Sequence, residues 1–164
     1  MANMTEEKIK DWSCPVWERE EPRQFWDPSR KLLKSIRQYQ ALAGSNNPLH
    51  KIQRRLCAVK HCFWSVITGA EIDLNCQIGG GLLLPHPNGV VIHPDSTIGP
   101  NCLVFQQVTL AGKVDLGFHV DVGAGAKVLG PLTVGDNVRI GANSVVTKNI
   151  ESNATVVGIP AKVI

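Results

Sequence analysis

One histidine stands where a regular pattern breaks. His86 lies in the segment Leu82-Leu83-Leu84-Pro85-His86-Pro87-Asn88-Gly89-Val90-Val91-Ile92. A histidine titrates near neutrality, so it can take a proton from an attacking hydroxyl. It does this best when a carboxylate orients the ring. Glu71 stands 15 residues earlier, close to one coil of the repeat described next, so it can fall on the neighbouring rung. Asp73 and Asp95 are weaker candidates. A base with an orienting carboxylate suits acyl transfer from a thioester to an alcohol. That reaction needs no cysteine nucleophile, because the acyl group arrives activated. A lone histidine is more often structural; its place in a break of the repeat favours function here. His93 and His119 read as rim residues of turns, and His50 and His61 as part of a helical segment. The five histidines show no ligand spacing, so no metal is expected.

The pattern that His86 interrupts is a six-residue beat. Ile92, Ile98, Val104, Leu110, Leu116, Val122, Val128, Val134, Ile140 and Val146 follow one another at steps of six. Ordinary composition would yield such a run roughly once in a million trials. Small or aliphatic residues recur four places after each: Ser96, Cys102, Val108, Val114, Val120, Ala126, Leu132, Val138, Ser144 and Ile150. Ile72, Ile78 and Leu84 carry the beat earlier. The step from Leu84 to Ile92 is eight, so two extra residues sit near His86. A period of six matches neither an α-helix nor an alternating strand. It predicts a short strand and a turn per unit, with three units making one triangular coil. Stacked coils bury the aliphatic ladder. Hexapeptide coils of this class wind left-handed, against the usual crossover preference; the hand comes with the repeat class, not with the spacing. The fold class is therefore mainly β, a left-handed parallel β-helix with a short N-terminal α-helical cap.

The chain divides at about residue 70. Segment 1–70 holds the cap and segment 71–164 the β-helix. Asp27-Pro28 and Asn47-Pro48 are start signals for two helices. Leu32, Leu33, Ile36, Leu42 and Ala43 give the first an apolar stripe, which Gly44 can close. Leu49, Ile52, Leu56, Val59, Phe63 and Val66 give the second a 3,4,3,4,3 stripe. Both stripes are expected to cover the open first coil, whose strand edges would otherwise be unpaired. Eight basic residues and no acid lie between Ser29 and Ala70: Arg30, Lys31, Lys34, Arg37, Lys51, Arg54, Arg55 and Lys60. The ordinary reading is a solvated helix face; the sharper one is an anionic acceptor or a membrane surface. Residues 1–25 mix both signs, and the sequence leaves their order open.

Composition narrows the function classes. A net charge of +3 and the lack of a nucleic-acid-binding signature exclude nucleic acid as a partner. No apolar run reaches membrane-spanning length, and the charged start is not a signal peptide. Cys14, Cys57, Cys62, Cys76 and Cys102 form no CxxC pair. They read as free thiols of a reducing, cytoplasmic compartment, with Cys76 and Cys102 in the core.

From Glu71 to Lys162 the chain resembles the catalytic half of serine acetyltransferase. The resemblance rests on GGGLLLPHPNGVVI, VFQQVTLAG, VGAGAKVLGPLTVGDNVRIGANSVV and the terminal VVGIPAKVI. It covers a little over half the chain. The repeats are shared by all hexapeptide acyltransferases; the L-x-H-x-x-G-V-V-I and Q-x-V-T-L segments are more specific. The resemblance implies an acetyl-CoA-dependent O-acetyltransferase, His86 as general base and Glu71 in place of the family's orienting aspartate. It implies a homotrimer with sites in the clefts between prisms, and leaves open whether trimers pair into hexamers through the cap. Coenzyme A would contact Ala111, Gly112, Ala124 and Ala142, with Arg139 and Lys162 near its phosphates.

Three departures bear on the acceptor. Pro85 stands where the family has an aspartate that helps to hold serine. The loop bearing a second active-site histidine is cut to Ala111-Gly112-Lys113, and Lys113 falls near that histidine's place as a substrate contact. The chain stops right after the GIPAK motif, so a tail-mediated complex with the sulfhydrylase is not expected. The acceptor is a small-molecule hydroxyl, on L-serine or on a sugar or nucleotide-sugar of surface polysaccharide synthesis. Other classes are a non-catalytic β-helix scaffold and a metal-dependent hydratase, for which the histidines are too few.

Overall fold

The computed structural model describes residues 11–164. Residues 1–10, with most of the charged start considered above, lie outside the described residues. The chain is mainly β, a parallel β-solenoid preceded by two helices.

The six-residue beat becomes three parallel sheets, the faces of a triangular prism. Face I stacks Glu71–Ile72, Val91–Ile92, Thr109–Ala111, Lys127–Leu129 and Val145–Val146. Face II stacks Gln77–Ile78, Thr97–Ile98, Val114–Leu116 and Leu132–Val134. Face III stacks Leu103–Val104, Asp121–Val122, Arg139–Ile140 and Thr155–Gly158, and the antiparallel strand Ala161–Val163 ends it. The register is 18 residues per coil, as in Val91 with Thr109 and Leu103 with Asp121. Across the insertion near His86 it widens to 20, from Glu71 to Val91. In the last coil it narrows to 16, from Arg139 to Thr155.

The inward column and its small-residue companion are both buried from Ile92 to Ile150. Each coil thus removes its aliphatic side chains from water only by stacking on its neighbours, which makes the core one continuous ladder. Ser96 and Ser144 sit in this column and satisfy their hydroxyls on backbone, Ser96 donating to the Gly112 carbonyl at 3.0 Å. Cys76 and Cys102 are buried as expected, and all five cysteines are free thiols.

Helix α1 (Pro28–Ala41) closes the open first coil. Its N-cap is Asp27, whose carboxylate accepts from the Arg30 amide. Leu32, Leu33 and Ile36 are buried against the coil. Arg37 donates to the carbonyls of Ile78 and Gly79, and Gln40 to those of Leu74 and Cys76. These are strand-end carbonyls with no coil beneath them. Residues 11–26 join in: buried Glu20 accepts from the amides of Gly81 and Leu82 and forms a bidentate pair with Arg37. Asn101 accepts from the Val16 amide and donates to the carbonyls of Trp12 and Cys14. Residues 11–25, left open by the sequence, are a strap over the first coils.

Helix α2 (Pro48–Thr68) corrects the expectation for the second stripe. Leu49, Ile52, Leu56, Val59, Phe63 and Val66 do not cover the first coil; all six are exposed, Val66 by 77%. The helix packs on α1 by its other side, through Cys57, His61, Trp64 and Thr68. His61 lies within reach of the Ser35 hydroxyl on α1, and Arg54 sits over the Tyr39 ring at 4.2 Å. Helix α1 and the strap satisfy the coil edge, and α2 touches the coil only by its inner side, where the His61 ring bonds to the Ile72 backbone and Trp64 packs against the core.

Candidate active site

Three edges join the faces, and the candidate residues divide among them. The turns from face III to face I stack along one edge. The Gln107 amide donates to the Asn88 carbonyl, Gly125 to Gln106, and Asn143 to Ala124. This edge carries His86 in its first turn, then Ala124 and Ala142 on successive coils. Gly89, at φ +69°, closes the enlarged first turn and its amide reaches the Gly69 carbonyl. A side chain there would press on Gln107 at 3.2 Å, which is why glycine suits this place.

His86 is exposed and lines a cleft of about 570 Å³ between the bulge and the start of α1. Across it stand Arg23, Asp27, Arg30 and Thr68. The Ser29 hydroxyl ties the helix start to the bulge through the Leu84 carbonyl. Asp27 pairs with Arg30 at 3.2 Å and accepts from the Arg23 amide. The cleft thus faces His86 with a carboxylate and two guanidinium-bearing residues. Sequence reading assigned Asp27 only to the helix cap; the Asp-Pro pair marks a helix start, and nothing local in it points at a turn 59 residues further on.

Glu71 is exposed on face I and lines a second cavity of about 600 Å³ with Tyr39, His61, His93, Thr109, Ala111 and Gly112. Among the described residues no hydrogen bond or ion pair joins Glu71 to His86. Their cavities adjoin along the chain, one reaching Thr68 and the other Ala70. Gly112 and Lys113 lie on the edge from face I to face II. Lys113 lines a third hollow with Asp95, Thr97 and Asp115. Arg139 is exposed on face III, 4.0 Å from Asp121, and Lys162 is exposed on the last strand of that face. One chain therefore brings His86, Ala124 and Ala142 together on one edge and holds Ala111, Gly112 and Lys113 on another.

The remaining thiols and histidines fit the structural reading. Burial pushes the Cys102 thiol up to about 12 and raises Cys76, so neither is a thiolate nucleophile near neutrality. Burial lowers His61 below the usual histidine range. His119 stacks on Trp12 at 4.2 Å, and its ring nitrogen meets the Asn137 side chain. His93 lies 3.8 Å from Asp95. Among the described residues no cluster of metal-ligating side chains occurs, and no helix is long and apolar enough to cross a membrane.

The coil geometry and the edge carrying His86 can be set beside known proteins. No family model matches the chain. Serine acetyltransferase of Synechococcus elongatus is 46% identical over 107 residues, covering 60% of this chain and 44% of that protein. Serine acetyltransferase of Staphylococcus xylosus is 46% identical over 105 residues, covering 59% and 49%. A solved structure described as serine acetyltransferase in complex with CoA superposes with a TM-score of 0.72 at 30% identity, covering 85% of this chain and 57% of that one. The chain is thus similar to serine acetyltransferases in both sequence and fold. It spans about half the length of the curated relatives it matches. The structural likeness covers more of this serine acetyltransferase-like chain than the sequence likeness does, 85% against 60%.

Proposed function

We propose that this chain transfers an acetyl group from acetyl-CoA to a small-molecule hydroxyl, with His86 as general base. The observation that carries the reading is the placement of His86 in the enlarged first turn of the edge that continues through Ala124 and Ala142. A thioester-bearing ligand laid along that edge ends at the histidine. The acceptor hydroxyl gives its proton to the His86 ring as its oxygen attacks the thioester carbonyl. The tetrahedral centre collapses, the carbon–sulfur bond breaks, and the leaving thiolate takes the proton from His86. The products are an O-acetyl ester and free coenzyme A, and the histidine returns neutral. Glu71 would orient the ring from face I.

The division of residues between two edges supports a homotrimer. The His86 edge of one copy and the Ala111–Gly112 edge of the next would form one cleft, with Arg139 and Lys162 near the coenzyme phosphates and Lys113 near the acceptor. In a single chain both His86 and Glu71 are exposed, as halves of a cleft between copies would be.

L-Serine is the first acceptor to test, because the relatives are serine acetyltransferases and the His86 cleft offers the exposed Arg23 for a carboxylate. Pro85, in place of a carboxylate beside His86, favours a second reading in which the hydroxyl belongs to a sugar or nucleotide-sugar. Thiol release from acetyl-CoA over L-serine and a panel of sugars separates the two. Release with serine alone supports the first, release with a sugar alone the second. No release and no coenzyme binding would leave a non-catalytic scaffold.

A further inference from the structure

We propose that the exposed face of α2 docks on a bilayer surface carrying anionic lipid headgroups. This inference is independent of the acetyl-transfer reading.

The face is large and one-sided. Leu49, Ile52, Leu56, Val59, Phe63 and Val66 are all more than half exposed, and Ile67 is 43% exposed. On a helix of 3.6 residues per turn they form one stripe along the full length of α2. Arg55 borders the stripe on one side and Lys60 on the other, and Lys51 extends the Arg55 side. All three are exposed. Neither helix carries an acid. At the end of α2 an aromatic group flanks the stripe, with Phe63 edge-on to Trp64. Phe25 is 90% exposed, Trp26 packs edge-on to Trp64 at 5.7 Å, and Lys31 lies over the rings of Phe25 and Trp64.

This is the layout of a helix that lies in the plane of a membrane interface. The apolar side enters the acyl boundary, while lysine and arginine stems run along it with their charges among the headgroups. Aromatic rings with a polar edge suit the same depth. Charge decides between a bilayer and a second copy of the chain. Two α2 stripes set face to face would bring Arg55 and Lys60 of each helix against the same residues of the other, with no carboxylate on either helix to pair them. An anionic surface supplies that counter-charge.

Flotation of the full chain with vesicles tests the proposal, using phosphatidylcholine alone and phosphatidylcholine mixed with phosphatidylglycerol. Leu56→Glu and Arg55→Glu are the variants, both at exposed positions, with circular dichroism and thermal midpoint to confirm the fold. The wild-type chain is expected to float with the anionic vesicles, more weakly at high salt, and Leu56→Glu and Arg55→Glu to lower that partitioning roughly tenfold or more. Wild-type chain left in the soluble fraction, or variants that float equally, would overturn the proposal. A chain that ignores vesicles, and whose mass by light scattering falls in Leu56→Glu, would instead give the stripe to a second copy.

Discussion

The two helices start from the same grammar and end in opposite environments. Each opens with a capping side chain and a proline, Asp27-Pro28 for α1 and Asn47-Pro48 for α2. Each carries an apolar stripe. In α1 Leu32, Leu33 and Ile36 are buried, while Leu42 and Ala43 of the expected stripe fall past the helix end and Ala43 is exposed; in α2 the stripe faces outward. The polar residues make the difference. Arg37 and Gln40 on α1 reach four carbonyls of the open coil, and this satisfies an edge that would otherwise be unpaired. Helix α2 meets the coil only by its inner side, where the His61 ring bonds to the Ile72 backbone and Trp64 packs against the core. Amphipathic spacing states that a helix has an apolar face. What that face meets is decided by where the partner's unpaired backbone groups lie.

Several substitutions would sharpen or break this contrast. The largest effect is expected at Glu20, which accepts from two coil amides and from Arg37 while almost fully buried. Glu20→Ala strands that guanidinium and those amides, and should cost about 3–5 kcal/mol in denaturant unfolding. Leu32→Ala on α1 should cost about 2–5 kcal/mol, whereas Leu56→Ala on α2 should change stability by about 0.5 kcal/mol or less. Equal losses at the two leucines would contradict the assignment of α2's face. The caps should differ too: Asn47→Ala should cost about 0.5–2 kcal/mol, and Asp27→Ala more, because buried Asp27 also pairs with Arg30 and accepts from the Arg23 amide.

The smallest effect concerns the seam between the helices. Burial holds His61 below its ordinary pKa. Above about pH 6.5 the ring is neutral in both folded and unfolded chains, so its contribution is fully present. As pH falls below that value the unfolded chain takes up the proton first, and stability is lost. Urea midpoints from about pH 8 to 5 should therefore decline, and His61→Gln should flatten the decline. An unchanged slope would place the sensitivity elsewhere.

The β-helix was readable because its rule is local and repeated. Ten aliphatic residues at one spacing leave a single way to bury them. The place of His86 was readable for the same reason, since an eight-residue step in a six-residue series must bulge. The strap was not. Its anchors, Glu20 to the coil amides and Asn101 to the carbonyls of Trp12 and Cys14, pair residues more than 60 positions apart, and no periodicity reports such contacts. Coil length points to a Glu71–His86 pairing; the two residues line separate cavities, and no bond joins them. The cleft facing His86 was also hidden, because Asp27 reaches it through the folding of α1 onto the bulge.

Acetyl transfer through His86 is the central claim, and one variant tests it most directly. Thiol release from acetyl-CoA should be measured for wild type and His86→Ala with the best acceptor found, alongside coenzyme affinity by calorimetry. The account predicts a loss of kcat of about 10²- to 10⁴-fold with coenzyme affinity essentially unchanged. A variant that keeps its rate would contradict the assignment of His86 as the base.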